Sequence, residues 1–399
     1  MPRQVEALVN PEILVWARKT SNLDLDTVAR RLRLPVATIQ EWENGTRKLF
    51  VSQLKKLATI YKRPLVVFYL SDAPRTFDAM HDFRRLPDGN NRTISPELSF
   101  EIRRANQRRE IALELIAQME EPAPELHLSI NLSDDPDKVA RRIRENLNIT
   151  LQEQYKWSGD YDALNTWRDA IERIGVLVFQ AARVPLDEMR GMSINLNPLP
   201  VIVLNGQDAT RAKIFSLLHE FVHLIINNGG ICDLKEVRVP LFEEAAEVFC
   251  NRVAGAVLVP ADALRKEQIL LSKSAEQGWS DLDIGELAYK YSVSHETMLR
   301  RLVIIGVASE NFYKQKREEY IRFYADLRKR QKAQQKEGGI KIPHFRMVIR
   351  NNGLQYTRLV LNAYNFENIT ASELADFLDV RLKHLDAIVQ AVYSSAAGW

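Results

Sequence analysis

The apolar positions between residues 11 and 70 recur at helical spacing in short segments that turn residues separate. Pro35 can open one of these helices, because the first helical turn tolerates a proline. Asn44-Gly45 can close the same helix, because both residue types accept a left-handed backbone. The pattern predicts a set of helices near Pro11–Lys19, Asp26–Arg33, Pro35–Trp42 and Gln53–Tyr61.

The middle of the chain mixes helical periodicity with two short apolar runs. Val176–Gln180 and Val201–Leu204 are rich in apolar residues and bounded by turn residues, which is typical of strands. Beyond Pro260 the pattern is again mostly helical, and it predicts a long basic helix over Tyr313–Lys336. Residues 340–399 are expected to form a small module of two strands or loops and a helix pair. The fold class predicted is therefore mainly α with a small α+β core.

A faint internal repeat occurs at three places in the chain. It begins with an apolar residue and an alanine, at Val28-Ala29, Leu287-Ala288 and Leu374-Ala375, and a fresh helix follows at a matching offset. This spacing is typical of a helix-turn-helix, in which the small alanine lets two helices cross closely. Ordinary packing of a helical hairpin would give the same spacing, so both interpretations stay open.

Composition limits the class of protein. The 399 residues are 46% hydrophobic, which excludes wholesale disorder. No apolar run approaches the ~20 residues of a membrane helix, and the first residues lack the order of a signal peptide. The two cysteines, Cys232 and Cys250, imply no disulfide framework. We therefore expect a cytoplasmic protein that has no membrane partner.

Charge is distributed unevenly along the chain. Residues 1–71 carry 12 Lys and Arg against 6 Asp and Glu, whereas the whole chain has a net charge of only +3. A basic head on a slightly acidic body suggests an anionic partner for the head. A solvated basic face would have the same composition, so charge alone does not decide between the two.

The segment His219-Glu220-Phe221-Val222-His223 lies within a predicted apolar helix, Arg211–Ile226. Histidines four residues apart project from one face of a helix, so both imidazoles can bind a single ion. Glu220 follows the first histidine and can reach an activated water as a general base. Zn²⁺ is the cofactor that we expect on these residue types, although Mn²⁺ could occupy the same ligands.

A catalytic site of this kind needs a third protein ligand and keeps one position open. Glu243, Glu244 and Glu247 follow at the start of a second predicted helix. We prefer Glu247, because Asn251 falls one turn later on the same face and can orient a ligand from the second layer. The intervening positions are apolar, and a buried acid needs a partner. Cys250 is expected to be a packed thiol rather than a fourth ligand.

Two features near this motif stay open. The proline before Val201–Leu204 suits the edge of a sheet, and an open edge beside a metal cleft can pair with an extended peptide. A plain core strand fits the same residues equally well. Nothing identifies the donor that would stabilise an oxyanion: His295 and His344 are conceivable, but such histidines more often lie at the surface.

Together these residues resemble the ImmA/IrrE family of metallopeptidases. The resemblance rests on Asn205, Arg211, Phe215, the motif from His219 to His223, the segment from Glu247 to Asn251, and the segment from Val257 to Pro260. The head, from Leu25 to Leu57 with Trp42-Glu43-Asn44-Gly45, resembles an XRE-type, repressor-like helix-turn-helix.

This resemblance implies a minimal thermolysin-like zincin core with an appended helical module, which here would include Asp283–Gly306. It implies zinc on the two motif histidines and Glu247, with Glu220 as the base. Members of the family act as regulatory proteases, typically on a helix-turn-helix repressor or an antitoxin. Two departures, Cys250 for the usual alanine and Val253 for the usual aromatic residue, remove no ligand. Residues 340–399 resemble the tail of longer members that are encoded beside PIN-like toxins.

In repressors of the XRE type, the first half of the recognition helix meets base edges in the major groove. The corresponding residues, which include Thr38 and Glu41, offer little of the Arg, Gln or Asn chemistry that reads bases. Glu41 would repel phosphate unless it is directed at a cytosine. Contacts to the DNA backbone are better supplied, by Arg30, Arg31, Arg47 and Lys48. We expect weakly specific, salt-sensitive DNA binding, or else a head that grips a protein.

These observations predict five parts of the chain. They are a helix-turn-helix domain at 1–72, a helical linker at 73–132, a zinc metallopeptidase domain at 133–275, a second helix-turn-helix-like module at 276–312, and a basic helix with a small C-terminal module at 313–399. The leading hypothesis is a zinc-dependent regulatory endopeptidase that cleaves a repressor or antitoxin and binds DNA through its head. The alternative is a DNA-binding antitoxin or regulator that neutralises a cognate PIN-like toxin by contact, with a non-catalytic metal site. A homodimer is possible in either case, because operators are two-fold.

Overall fold

The computed structural model describes residues 5–74, 94–227, 240–272, 278–336 and 343–394, with their side chains except at 227, 240–243, 324–336 and 394. The chain divides into two compact units, Met1–Gln107 with Arg183–Met189 and Arg108–Ala182 with Arg190–Trp399. The described elements are mainly helices with one small sheet, which confirms the predicted fold class. No described helix is both long and apolar enough to cross a membrane.

The first unit begins with helices that match the predicted ones to within 2 residues at each end. They are α1 (Pro11–Thr20), α2 (Leu25–Leu32), α3 (Val36–Glu43) and α4 (Val51–Tyr61), followed by a 3-10 helix at Leu65–Tyr69. Asn10 and Asp24 cap the first two, because their side chains accept hydrogen bonds from the backbone N–H groups of Glu12 and Thr27. Ile39 and Trp42 are buried in the core of this unit, as expected.

One ion pair ties the ends of α1 and α3 together. Arg18 donates from Nε to Oε1 of Glu43 at 2.7 Å and from Nη2 to Oε2 at 2.9 Å. The same guanidinium donates from Nη1 to the carbonyl of Leu23 at 3.1 Å. The two side chains are only 13% and 7% exposed, so this bidentate pair is part of the interior of the head.

Helix α5 (Pro96–Gln118) follows in the sequence, and the helices after it fold mostly around a single apolar core. They are α6 (Pro136–Leu147), α7 (Leu151–Gln154), α8 (Asp160–Arg173), α9 (Thr210–Asn227), α10 (Pro240–Leu258), α11 (Ala261–Leu264), α12 (Gln268–Ser272), α13 (Asp281–Lys290), α14 (His295–Ile304) and α15 (Glu310–Lys336). One continuous cluster of buried side chains runs from Leu126 to Tyr320. The regions predicted as peptidase and second helix-turn-helix therefore share one core, and the proposed domain boundaries stay a prediction.

The described sheet has three strands, β1 (Leu177–Ala181), β2 (Gly191–Ile194) and β3 (Val201–Asn205), in the order β1-β3-β2. β1 pairs parallel to β3, and β2 pairs antiparallel to it. The run Val201–Leu204 is therefore a central strand, and the possibility that it forms an edge is wrong. Every residue of β3 is buried, which is typical of a strand that is covered on both faces. The edge position belongs to β2, which the sequence did not predict.

The C-terminal module is helical throughout its described residues. Its elements are α16 (His344–Asn352), α17 (Leu354–Asn365), α18 (Ala371–Leu378), a 3-10 helix at Leu382–His384 and α19 (Leu385–Ser394). The expectation of strands here is wrong: all its described elements are helices, and a β-branched residue such as Val348 is buried on one of them, since burial in tertiary structure overrides a weak β propensity. Gly353 joins α16 to α17 with a φ of +85°, and a Cβ there would lie 2.6 Å from Oε1 of Glu172.

The three copies of the sequence repeat adopt the same turn. Arg33, Ser292 and Asp379 each have a φ near +55°, in the left-handed region. The N–H of the next residue then donates to the carbonyl of the repeat alanine, at 3.0 Å for Ala29, 2.9 Å for Ala288 and 2.8 Å for Ala375. A second helical segment follows each turn. The same left-handed cap also ends other helices of the chain, such as those at Lys62 and Glu367. The turn is therefore compatible with a helix-turn-helix at all three places and with an ordinary helical hairpin.

Candidate metal centre

Helix α9 carries the two histidines of the motif on one face. Phe221 and Val222 lie between them in the sequence and are fully buried, which fixes the rotation of the helix. His219 and His223, one turn apart, consequently place their Nε2 atoms 3.0 Å from each other. His223 is only 5% exposed.

Helix α10 supplies a carboxylate to the same point. Oε2 of Glu247 lies 3.2 Å from Nε2 of His219, and Oε1 lies 3.1 Å from Nε2 of His223. The candidate ligand atoms of these three residues all lie within 4.8 Å of one another, and no other such group occurs among the described residues. The position chosen for the third ligand from helical spacing is therefore the one that the fold brings to the histidines.

The charges within this cluster oppose the effect of burial. Burial by itself lowers the pKa of His219, but the hydrogen bond to Glu247 and the charges of Glu220 and Glu247 raise this pKa above its usual value. Burial by itself raises the pKa of Glu247, but hydrogen bonds to both histidines hold it well below its usual range. The carboxylate is therefore ionised, and the cluster has the electrostatic character of a site for a cation.

A second layer supports the histidines from behind. Sγ of Cys250 lies 3.4 Å from Nδ1 of His223 and is fully buried, so the expected packed thiol also contacts a ligand ring. Asn251 is close enough to raise the pKa of His219, although no hydrogen bond of ordinary geometry reaches Nδ1 of His219 within the described part of the chain. The ring of Phe215 stacks on His219 at 6.3 Å between centroids. Only Asn251 was predicted for this layer.

Strand β2 contacts the side chain of the candidate base, Glu220, which lies on α9. The hydroxyl of Ser193 donates to Oε2 of Glu220 at 2.9 Å. A Cβ at Gly191 would lie 3.0 Å from Cγ and 3.1 Å from Oε1 of Glu220, so glycine makes room for this side chain. Sequence reasoning missed both residues, since a run of 4 residues with a glycine and a serine carries no strand signal.

The donor set fits a divalent transition-metal ion. Two imidazole nitrogens 3.0 Å apart must share a proton or face a cation, and an ionised carboxylate completes the triangle. Imidazole and carboxylate together suit Zn²⁺ and its neighbours in the first transition row. A three-residue protein set also leaves a coordination position for a reactant.

Comparison with known families agrees with this geometry. Residues 171–303 match the family model described as Peptidase_M78, IrrE N-terminal-like domain, and these residues include β1 to β3, α9 and α10. Over this third of the chain, the protein is similar to IrrE N-terminal-like domains. Residues 14–68 match a helix-turn-helix family model. The two matches confirm both resemblances drawn from the sequence, and no curated protein matches the chain.

Other residues of the IrrE N-terminal-like domain that the resemblance singled out have structural partners. Arg211 donates to Oδ1 of Asp160 at 2.8 Å and to the carbonyl of Val293 at 2.9 Å, which fixes the start of α9. Asn205 is fully buried, and its side chain accepts from the N–H of Gln207. These contacts lie at the start of α9 and in the segment before it, and they do not include the three residues of the candidate cluster.

The remaining candidates near the IrrE-like cluster lie elsewhere or outside the described residues. Glu244 is exposed and lines a separate groove on the neighbouring face of α10. The side chain of Glu243 and all of Cys232 lie outside the described residues. The ring centroid of His295 lies 5.7 Å from that of Tyr320, and His344, within the C-terminal module, contacts His384. The structure brings neither histidine to the metal-binding cluster.

The predicted DNA contacts of the head are already engaged within their own unit. Arg47 donates to Oε2 of Glu41 at 3.0 Å, and Lys48 donates to Oε2 of Glu6 at 2.7 Å. Arg30 is exposed, with a hydrogen bond to Thr27 on its own helix. Arg31 lies 3.9 Å from Glu97.

Thr38 differs from the other predicted DNA-contact residues. Its side chain is 6% exposed and accepts a hydrogen bond from Nη1 of Arg47 at 3.2 Å. The structure therefore places Thr38 beneath the face of α3 on which Glu41 and Arg47 meet. Its hydroxyl would have to exchange this partner before it could contact a base.

Proposed function

We propose that this protein is a zinc-dependent regulatory endopeptidase coupled to a DNA-binding head, and that it cleaves a transcriptional repressor or an antitoxin. The observation that carries the proposal is the convergence of His219, His223 and Glu247 beside Glu220. The match to a peptidase domain and to a helix-turn-helix supports the coupling of the two activities in one chain.

His219, His223 and Glu247 would hold the ion. Bound there, Zn²⁺ would polarise a water molecule and the scissile carbonyl. Glu220 accepts the proton of the attacking water and delivers it to the leaving amine. Since Oε2 of Glu220 accepts from Ser193, Oε1 is the atom that remains for this proton.

The substrate chain would lie extended along β2. This strand occupies an edge of the described sheet and packs against α9 through Gly191 and Ser193. An extended peptide can add to such an edge by main-chain hydrogen bonds. Gly191 and Ser193, which position Glu220, would then also lie beside the scissile bond. The same strand would therefore take part in substrate binding and in catalysis.

The test is Glu220→Gln, which removes the base and retains a side chain of the same size. We expect metal content equal to that of the wild type and loss of cleavage, because none of the three ligands changes. Profiling of new protein N-termini in cells that express the wild type or the variant measures this difference and identifies the substrate. The matched control is Glu244→Gln, an exposed acid on α10 outside the cluster.

Each outcome assigns a function. N-termini that appear with the wild type and Glu244→Gln, and not with Glu220→Gln, support the endopeptidase. If Glu220→Gln retains the metal and the full biological effect, proteolysis is not the activity. The alternative, a regulator that neutralises a PIN-like toxin by contact, then takes its place.

A further inference from the structure

The third copy of the turn lies in the C-terminal module. We call α18, the 3-10 helix Leu382–His384 and α19 the C-terminal turn unit. Asp379 has a φ of 55°, and the N–H of Val380 donates to the carbonyl of Ala375 at 2.8 Å. In the head, Arg33 has a φ of 57°, and the N–H of Leu34 donates to the carbonyl of Ala29 at 3.0 Å. The two turns therefore have the same backbone geometry, which other helix ends of the chain also share. What links this turn to that of the head in addition is the spacing of apolar residues three and five positions after the alanine, Leu32 and Leu34 in the head and Leu378 and Val380 here.

Alignment of the two alanines assigns equivalent positions at the start of the second helical segment. In a helix-turn-helix these positions face the major groove and the adjacent phosphates. The head has Pro35, Val36, Ala37 and Thr38 there, and the C-terminal turn unit has Arg381, Leu382, Lys383 and His384. The third copy thus has cationic side chains at the positions where the head has apolar and small ones.

These cations are available to a ligand. Arg381 and Lys383 are exposed, and neither makes an ion pair with an acid in the described part of the chain. Leu382 lies between them and is 57% exposed. In the head, by contrast, Arg47 and Lys48 are each engaged by a glutamate.

Helix α16 adds a further group to the same face. The ring of His344 lies 4.5 Å from that of His384. Desolvation, and after it the charges of the nearby His344, Lys383 and Arg381, lower the pKa of His384. A cavity of about 450 Å³ opens here between both histidines, Arg381 and two acids of the preceding helix and turn, Asp376 and Asp379.

We propose that the C-terminal turn unit binds double-stranded DNA, with Arg381 and Lys383 on phosphates and Leu382 and His384 toward the groove. Duplex DNA fits better than a protein partner because the cations occupy the contact positions of a helix-turn-helix turn. An exposed leucine at the groove can meet a thymine methyl group. The proposal is independent of peptidase activity, and it gives the chain a DNA contact in addition to that of its head.

The experiment measures the affinity of the full-length protein for a labelled DNA duplex by fluorescence anisotropy, between 50 and 200 mM salt. The variant is Arg381→Gln/Lys383→Gln. The control is Lys156→Gln/Lys266→Gln, which removes the same charge from two exposed lysines outside the turn units. A head variant, Arg30→Gln/Arg31→Gln, and its combination with the C-terminal variant separate the two contributions.

We expect the C-terminal variant to weaken binding about tenfold and to reduce the slope of log K against log salt by about 2, because each phosphate contact contributes about 0.9. The same loss should appear in the head-variant background. Arg381→Lys/Lys383→Arg should bind as the wild type does, since it retains both charges.

Three results would overturn the proposal. The first is a C-terminal variant that binds like the wild type and the lysine control. The second is a dependence on the head alone, or no DNA binding by any form. The third is tighter binding to an RNA duplex of the same sequence, which would assign the surface to RNA. None of these results bears on metal content or on cleavage.

Discussion

The candidate metal cluster was predicted from side chains at helical spacing, and the DNA contacts of the head were predicted from its resemblance to a repressor. The structure arranges these two sets of side chains differently. In the cluster, His219, His223 and Glu247 converge to within 4.8 Å. In the head, Arg47 and Lys48 pair with glutamates of the same unit. The difference lies in the length and burial of the side chains. Short side chains on buried helices follow the backbone, whereas long exposed ones select their partners among nearby charges.

A functional site is therefore predictable from spacing where the backbone alone determines where its groups meet. Glu247 follows from this, because the apolar residues around it fix the rotation of α10. The head shows the opposite case, since long flexible side chains such as those of Arg47 and Lys48 reach acceptors that helical spacing does not specify. For such a surface, the sequence shows which charged residues are present. Their contacts in the folded chain determine which of them remain without an ion pair.

The largest expected effect tests the convergence of the cluster. His223→Ala removes one of three ligands, and we expect the apparent dissociation constant for Zn²⁺ to rise roughly 300-fold. This estimate assigns about a third of a zinc-binding free energy of roughly 10 kcal/mol to each ligand. Competition with a chromophoric chelator measures the constant. The control Glu244→Gln should leave it unchanged, and retention of wild-type affinity by His223→Ala would remove this residue from the ligand set.

A smaller effect tests an ion pair of the head that is buried, as the residues of the metal cluster largely are. Arg18 and Glu43 form the buried ion pair of this unit, at 2.7 Å and 2.9 Å. Arg18→Met leaves the carboxylate unpaired, and we expect a loss of about 2 kcal/mol, below the value for fully buried pairs because some solvent reaches this one. Hydrogen exchange of the α1 to α3 amides measures the stability of the head.

The control for this variant is the exposed pair of Lys48 and Glu6, whose side chains are 73% and 38% exposed. Lys48→Met should cost less than about 0.5 kcal/mol. The double variant Arg18→Met/Glu43→Leu should regain part of the loss, because no charge is then left unpaired. Equal costs for Arg18→Met and Lys48→Met would show that burial does not distinguish the two pairs.

The same distinction explains which parts of the fold the sequence predicts. Helices α1 to α4 follow from caps and apolar spacing, which are local properties. Strand β2 has no local signal, and it forms because β3 offers it a hydrogen-bonding edge. Ser193 therefore could not be predicted to meet Glu220. The C-terminal segment around Val348 reads as a strand but packs as a helix, because tertiary contacts override a weak β propensity.

The smallest effect concerns the recognition helix itself. Glu41 holds Arg47 at 3.0 Å, and both side chains are about half exposed. Glu41→Gln removes a negative charge from the face that is predicted to meet DNA and releases the guanidinium of Arg47, so we expect DNA affinity to rise about threefold at low salt. Fluorescence anisotropy measures it, with Glu12→Gln, an exposed acid on α1, as the charge-matched control. A fall in affinity would instead indicate that Glu41 favours binding, either by accepting a hydrogen bond from a cytosine amino group or by holding Arg47 in position.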